Sequence, residues 1–97
     1  MPTYGILMKW TEQGVKSIKD APRRLAEGAK ACEAIGGKDV KYWITMGEYD
    51  ILGIAEMPND EAASLFALGL GSLGNVRTTS FRMFTPEEFE KSVKMLP

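Results

Sequence analysis

The chain has 97 residues, 44% of them hydrophobic and 26% charged, with a net charge of −1. That balance belongs to one ordinary folded domain over residues 1–97, and it supplies no basic field of the kind that nucleic acid or an anionic membrane recruits. There is no histidine and a single cysteine, Cys32, which removes the usual metal and haem ligands, an internal disulfide and the commonest near-neutral acid–base.

Thr3 to Trp10 (TYGILMKW) reads as a strand rich in aromatic and apolar residues. The opening MPTYGILMKW has no basic stretch ahead of a long apolar core, so a cytoplasmic protein without a secretory leader is expected. No run approaches the ~20 apolar residues of a membrane span. Thr11 to Lys19 is polar and reads as a loop with a helical turn. Asp20 is a fair N-cap for a helix that tolerates Pro22 in its first turn. Leu25, Ala29, Cys32 and Ile35 then recur at helical spacing until Gly36-Gly37 stops them. The basic residues Lys16, Lys19, Arg23 and Arg24, interspersed with acids, read as a solvated helix face.

Val40 to Met46 and Ile51 to Met57 are two strand runs joined by Gly47-Glu48-Tyr49-Asp50, which makes them an antiparallel hairpin. Pro58-Asn59-Asp60 opens a second helix with Ala62, Leu65, Phe66 and Leu70 on its apolar face. Gly74-Asn75 closes that helix, and Val76 to Phe84 is a fourth strand. In the tail, Thr85-Pro86-Glu87-Glu88 offers a capping box, flanked by Phe84 and Phe89 at the positions of a hydrophobic staple. A short third helix is expected from Pro86 to about Met95. The order β-α-β-β-α-β plus a terminal helix is the ferredoxin-like plan, an antiparallel sheet with helices on one face.

A hairpin with Glu48-Tyr49 as its loop places Gly47 opposite Asp50, Trp43 opposite Ile54 and Lys41 opposite Glu56. Trp43, Leu52 and Ile54 then share one face, and Tyr42, Ile44, Met46 and Ile51 the other. Tyr4, Ile6, Met8 and Trp10 alternate with Leu7 along the first strand. A sheet with a water-facing side alternates cleanly between apolar and polar residues, and this one does not. Burying ~600 Å² of such a face is worth roughly 15 kcal/mol before association costs, which favours a homodimer or higher oligomer.

LMKWTEQG (Leu7–Gly14) followed by IKDAPRR, MGEYDILGIAEMPNDEAA (Met46–Ala63) and LGSLGNVRTTSFRMF (Leu70–Phe84) resemble the GYD family of small proteins, over nearly the whole chain. The name-giving motif stands here as Gly47-Glu48-Tyr49-Asp50, with one residue between Gly and Tyr. The resemblance implies a dimeric α/β barrel assembly in which two sheets pack face to face. A more distant likeness to the ligand-sensing domain of feast/famine regulators implies small molecules bound between subunits, without the DNA-binding helices.

Gly69-Leu70-Gly71-Ser72-Leu73-Gly74 matches G-x-G-x-x-G, but it ends a helix and precedes a strand, where the dipole is negative and phosphate is not welcome. Close packing and a helix cap explain these glycines. Tyr49 and Asp50 sit at a loop tip, either as turn chemistry or as part of a site. Thr78, Ser80 and Arg82 share one face of the fourth strand, a row able to orient a carboxylate or phosphate or simply to meet water. Trp10 and Trp43 are large enough to wall an apolar pocket or to pack in a core or interface. No cofactor is expected. The leading expectation is a homo-oligomer that binds a small, partly apolar ligand near its subunit interface. A cofactor-independent enzyme using Tyr49, Asp50 or Arg82, and a purely structural module, are the alternatives. Elemental analysis and an absorbance scan of the purified protein are expected to show neither stoichiometric zinc nor haem; one tightly held metal per chain would reveal a carboxylate or thiolate site.

Overall fold

The computed structural model describes residues 1–97. β1 (Thr3–Trp10) is followed by a short helix α1 (Glu12–Lys16), a 3-10 turn (Ile18–Asp20) and α2 (Ala21–Ala34); β2 (Lys38–Ile44), β3 (Ile51–Glu56), α3 (Asp60–Ser72), β4 (Val76–Met83) and α4 (Pro86–Val93) complete the chain. Side-chain caps set most of the helix starts, because they satisfy amides that no helical carbonyl reaches. The Thr11 hydroxyl accepts from Gly14 N–H at 3.1 Å, and the Asn59 side chain accepts from Ala62 N–H at 2.8 Å. Thr85 and Glu88 exchange both bonds of a capping box at 3.0 Å. The bond from Thr85 N–H holds the Glu88 carboxyl below its usual range.

Asp20 does not cap α2. Its backbone is already helical, because the 3-10 turn runs into α2 without an extended residue between them, and its carboxylate faces Arg23 at 3.9 Å instead. Gly36 ends α2 and Gly74 follows α3, both at positive φ, where a side chain would be strained. Phe84 and Phe89 are 60% and 64% exposed, and the Arg82 guanidinium stacks over the Phe84 ring at 4.8 Å in place of a buried staple.

The four strands are ordered β2-β3-β1-β4 and every pair is antiparallel, which is compatible with the ferredoxin-like plan. The β2–β3 register differs from the two-residue-loop expectation. Trp43 pairs with Leu52 and Lys41 with Ile54, and an irregularity at Asp39, which has positive φ, brings Lys38 opposite Glu56. The connection is longer because Glu48 and Tyr49 are poor residues for a tight primed turn. Gly47 takes φ of 107°, Thr45 N–H donates to Asp50 O at 2.8 Å, and the Thr45 hydroxyl donates to Tyr49 O at 2.6 Å. The change of register is even, so Tyr42, Trp43 and Ile44 keep their predicted faces; the strand ends at Ile44, leaving Thr45 and Met46 outside it, and Met46 is 96% exposed.

Pairing defines the two faces. Tyr4, Ile6, Met8 and Trp10 share one with Ile51, Val76 and Ser80, and Leu7 shares the other with Trp43, Leu52, Ile54 and Phe81. The first face is roofed by the helices: Met8, Ile51 and Val76 are buried there, with Ile6, Trp10, Leu25 and Leu70 packed around them. The second has no helix over it, and Trp43 is 51% exposed. A Cβ on Gly5 would meet the Phe81 ring at 2.5 Å, so the ring lies across a strand position where only hydrogen fits. Residues 84 to 97 are all exposed, including Phe89, Val93 and Leu96. No helix is long and apolar enough to cross a membrane.

Asp50 finishes the sheet where β1 outruns β3. Its N–H donates to Met8 O, and its carboxylate accepts from Trp10 N–H, both at 2.9 Å. Asp50→Ala leaves a part-buried amide unpaired and is expected to cost about 1–3 kcal/mol. Thermal unfolding should register this as a lower melting temperature; an unchanged or raised one would remove the structural role.

Candidate functional site

α2 and α3 do not close over the sheet. They meet where Leu70 approaches Gly28, with 3.7 Å from Leu70 to a Cβ built on Gly28. Elsewhere they leave a cleft of about 730 Å³ above β1, floored by Ile6, Met8 and Trp10 and walled by Leu25, Phe66 and Leu70. This size and apolar lining suit a small organic molecule. Its polar groups are few: Tyr4, Asn75 and Ser80, with the charged side chains Arg23, Arg24 and Glu27. A second, more open groove of about 760 Å³ runs along the β4 edge beside α3, lined by Arg77, Thr78, Ser80, Arg82 and Asp60 among others. Tyr4 and Ser80 border both.

The predicted site residues separate into three places. Trp10 is in the cleft floor, and Ser80 stands between cleft and groove. Thr78, Ser80 and Arg82 do come together in the edge groove. Trp43 is on the unroofed face, so it cannot wall a pocket with Trp10. Tyr49 and Asp50 lie at the hairpin end, where the Lys9 ammonium sits 5.1 Å from the Tyr49 ring and 3.7 Å from the Glu48 carboxylate. Arg82 pairs with Tyr4 while Asp50 binds Trp10. Six residues of extended strand, roughly 20 Å, therefore separate them.

The expected solvated face of α2 contains a residue that turns inward. Arg23 is surface-exposed and paired with Glu27 at 2.9 Å. Arg24 is half-buried and lines the cleft. Its Nη1 donates to Ser17 O at 3.0 Å and to the Ser17 hydroxyl at 3.1 Å, and its Nη2 reaches Gly14 O only at 3.5 Å. Its Nε is shielded from water and has no hydrogen-bond partner. The signal was present in the spacing: Arg24, Gly28 and Ala31 follow one another along the helix stripe beside Leu25 and Cys32.

Tyr4 donates its phenolic proton to the Asp60 carboxylate at the start of α3. That bond, then burial, raises the phenol above its ordinary pKa, so Tyr4 serves as a tie between β1 and α3 and not as a base. No group of three or more His, Cys, Asp or Glu side chains is placed to hold a metal ion. Cys32 is 1% exposed, with its thiol 3.5 Å from the Met57 sulfur, and burial raises its pKa.

The chain belongs to the GYD domain family, which matches residues 4–93. A Thermus thermophilus protein named glutamine synthetase and cystathionine beta-lyase binding protein is 28% identical over 79 residues, covering 80% of this chain and 83% of that protein. Two crystal structures share the fold. TTHA0845 from Thermus thermophilus has a TM-score of 0.55 at 18% identity, covering 88% of this chain and 95% of its own. At3g17210 from Arabidopsis thaliana has a TM-score of 0.61 at 14% identity, with the same coverage.

Because its thiol is both buried and held protonated, Cys32 is expected to resist iodoacetamide in the native protein and to react fully after denaturation. Rapid native labelling followed by mass spectrometry would show that α2 opens readily from the sheet.

Proposed function

We propose that this protein works by binding, as a homodimer joined through its unroofed sheet faces, with each copy holding a small, largely apolar ligand between α2 and α3. The carrying observation is an excess of surface. The chain exposes 6837 Å², whereas a compact monomer of its mass exposes about 5500 Å². A stable interface removes roughly 800 Å² from each partner, so the excess is enough for one. The uncovered face supplies the matching chemistry, with Leu7, Leu52, Ile54 and Phe81 around Trp43 and the charges of Lys9, Lys41 and Arg77 at its margins. Two identical faces related by a two-fold axis bury the apolar centre and leave those cations near solvent.

The cleft supports the ligand half of the reading. It lies on the roofed side, so the ligand's place is beneath the helices and not between the sheets. The Thermus relative's name, a binding protein for two enzymes, supports a role exerted through association; its partners are that protein's own. The catalytic alternative rests on Tyr49, Asp50 or Arg82; none of these three lines the cleft, and Arg82 lies at the opposite end of β1 from Tyr49 and Asp50.

Sedimentation at micromolar concentration is expected to give about twice the 10.7 kDa chain mass. Trp43→Glu should yield a folded monomer, because Trp43 is already 51% exposed in the isolated chain and the substitution opens no core cavity. A wild-type species at the single-chain mass would refute the dimer.

A further inference from the structure

We propose that the cleft selects an amphipathic carboxylate, whose apolar body lies between α2 and α3 and whose carboxylate is held by Arg24. This rests on the ligand-binding reading above and adds the ligand's class and its anchor. The argument begins with a cation that lacks an anion. Arg24 is half-buried at the border of an apolar cleft, and every ion pair of the chain is made elsewhere. A half-buried guanidinium without a carboxylate, with its shielded Nε–H bonded to nothing, is costly to keep.

The contacts that Arg24 does make occupy one side of its fork. Nη1 carries both bonds to Ser17, at 3.0 and 3.1 Å, and thereby caps the end of α1. The opposite edge, Nε with Nη2, has only the 3.5 Å contact to Gly14 O. Those two N–H groups form a parallel pair that fits a carboxylate bidentately. A capping role explains Nη1 and leaves that edge unused. Nε is shielded from water, so bringing that edge into the cleft turns the whole planar fork and exchanges the Ser17 and Gly14 contacts for the carboxylate.

The other charges around the cleft leave room for an anion. Glu27 is neutralised by Arg23 at 2.9 Å. Behind Arg24 the surface is apolar and close. A Cβ on Gly14 would stand 3.3 Å from the Trp10 ring, which places that ring beside the segment Arg24 binds. Met8, Leu25 and Leu70 continue the apolar path. A ligand that is all apolar leaves Arg24 unsatisfied, and one that is all polar wastes the cleft.

Trp10 gives the test its readout once Trp43→Phe has removed the other tryptophan. In that background decanoate is expected to shift Trp10 emission with saturable binding, and decanol should bind at least tenfold more weakly. Arg24→Gln should weaken decanoate about tenfold while leaving decanol unchanged, which shows that the cleft still forms. Arg24→Lys keeps the charge but not the fork, and should fall between. Equal affinity for decanol and decanoate would overturn the carboxylate assignment while the cleft remains a binding site. Binding of neither would overturn the ligand-binding reading as well. Loss of decanoate in Arg82→Gln but not in Arg24→Gln would move the head group to the edge groove and overturn the role of Arg24.

Discussion

A four-stranded sheet has two faces to keep from water, and this chain spends its helices on one. α2 and α3 roof the side that carries Met8, Ile51 and Val76; α4 leaves the body with all its residues exposed and covers nothing extensively. The radius of gyration is 14.8 Å, against about 12.5 Å for a compact chain of this length. Small domains are short of core to begin with, because surface grows relative to volume as size falls. Leaving a second apolar face open makes the shortage acute, and association is the inexpensive remedy. The dimer proposal thus follows from how little the isolated chain buries.

The same economy produces the cleft. α2 lies over β2 and α3 over β4, so the inner strand β1 runs beneath the gap between them. Its ends are fastened. At one end Thr11 N–H donates to Asn75 O at 3.0 Å and the Thr11 hydroxyl to Gly74 O at 2.5 Å, while Gln13 reaches Leu73 O and the Asn75 side chain, both at 3.0 Å. At the other, the Tyr4–Asp60 bond ties β1 to the start of α3. These hydrogen bonds fix both ends of α3 against β1 and the start of α1. One wall of the cleft is therefore anchored by hydrogen bonds as well as by side-chain packing.

Much of this plan was legible in the residues. The strand runs, the glycine stops and the Thr85–Glu88 box are local signals, written in a few adjacent side chains, and they appear nearly where periodicity puts them. The hairpin register was less accessible, since it depends on turn geometry and on an irregularity at Asp39 that alternation does not reveal. Nor does alternation say which face the helices take: Trp10 and Trp43 look equivalent in sequence and lie on opposite sides. Arg23 and Arg24 make the point most sharply. Adjacent and chemically identical, they point about 100° apart on the helix, so one joins a surface ion pair and the other enters the cleft border.

The sheet is one backbone thick where the two proposed contacts stand. Along β1, Ile6 and Met8 look into the cleft while Leu7, between them, looks out of the unroofed face, and across β3 the buried Ile51 alternates with Leu52 in the same way. Pleating makes these alternations rigidly dependent, because no residue can turn without turning its neighbours. Gly53 tightens the constraint: a Cβ there would stand 2.9 Å from the Ile6 side chain, so β1 and β3 fit closely under the cleft. A ligand that presses on Ile6 or Met8 therefore acts on the strand that bears Leu7. A partner that clamps Leu7 and Leu52 stiffens the cleft floor in return, and any coupling between the two must run equally in both directions. The proposed ligand and the proposed second copy would thus press on opposite sides of the same two strands.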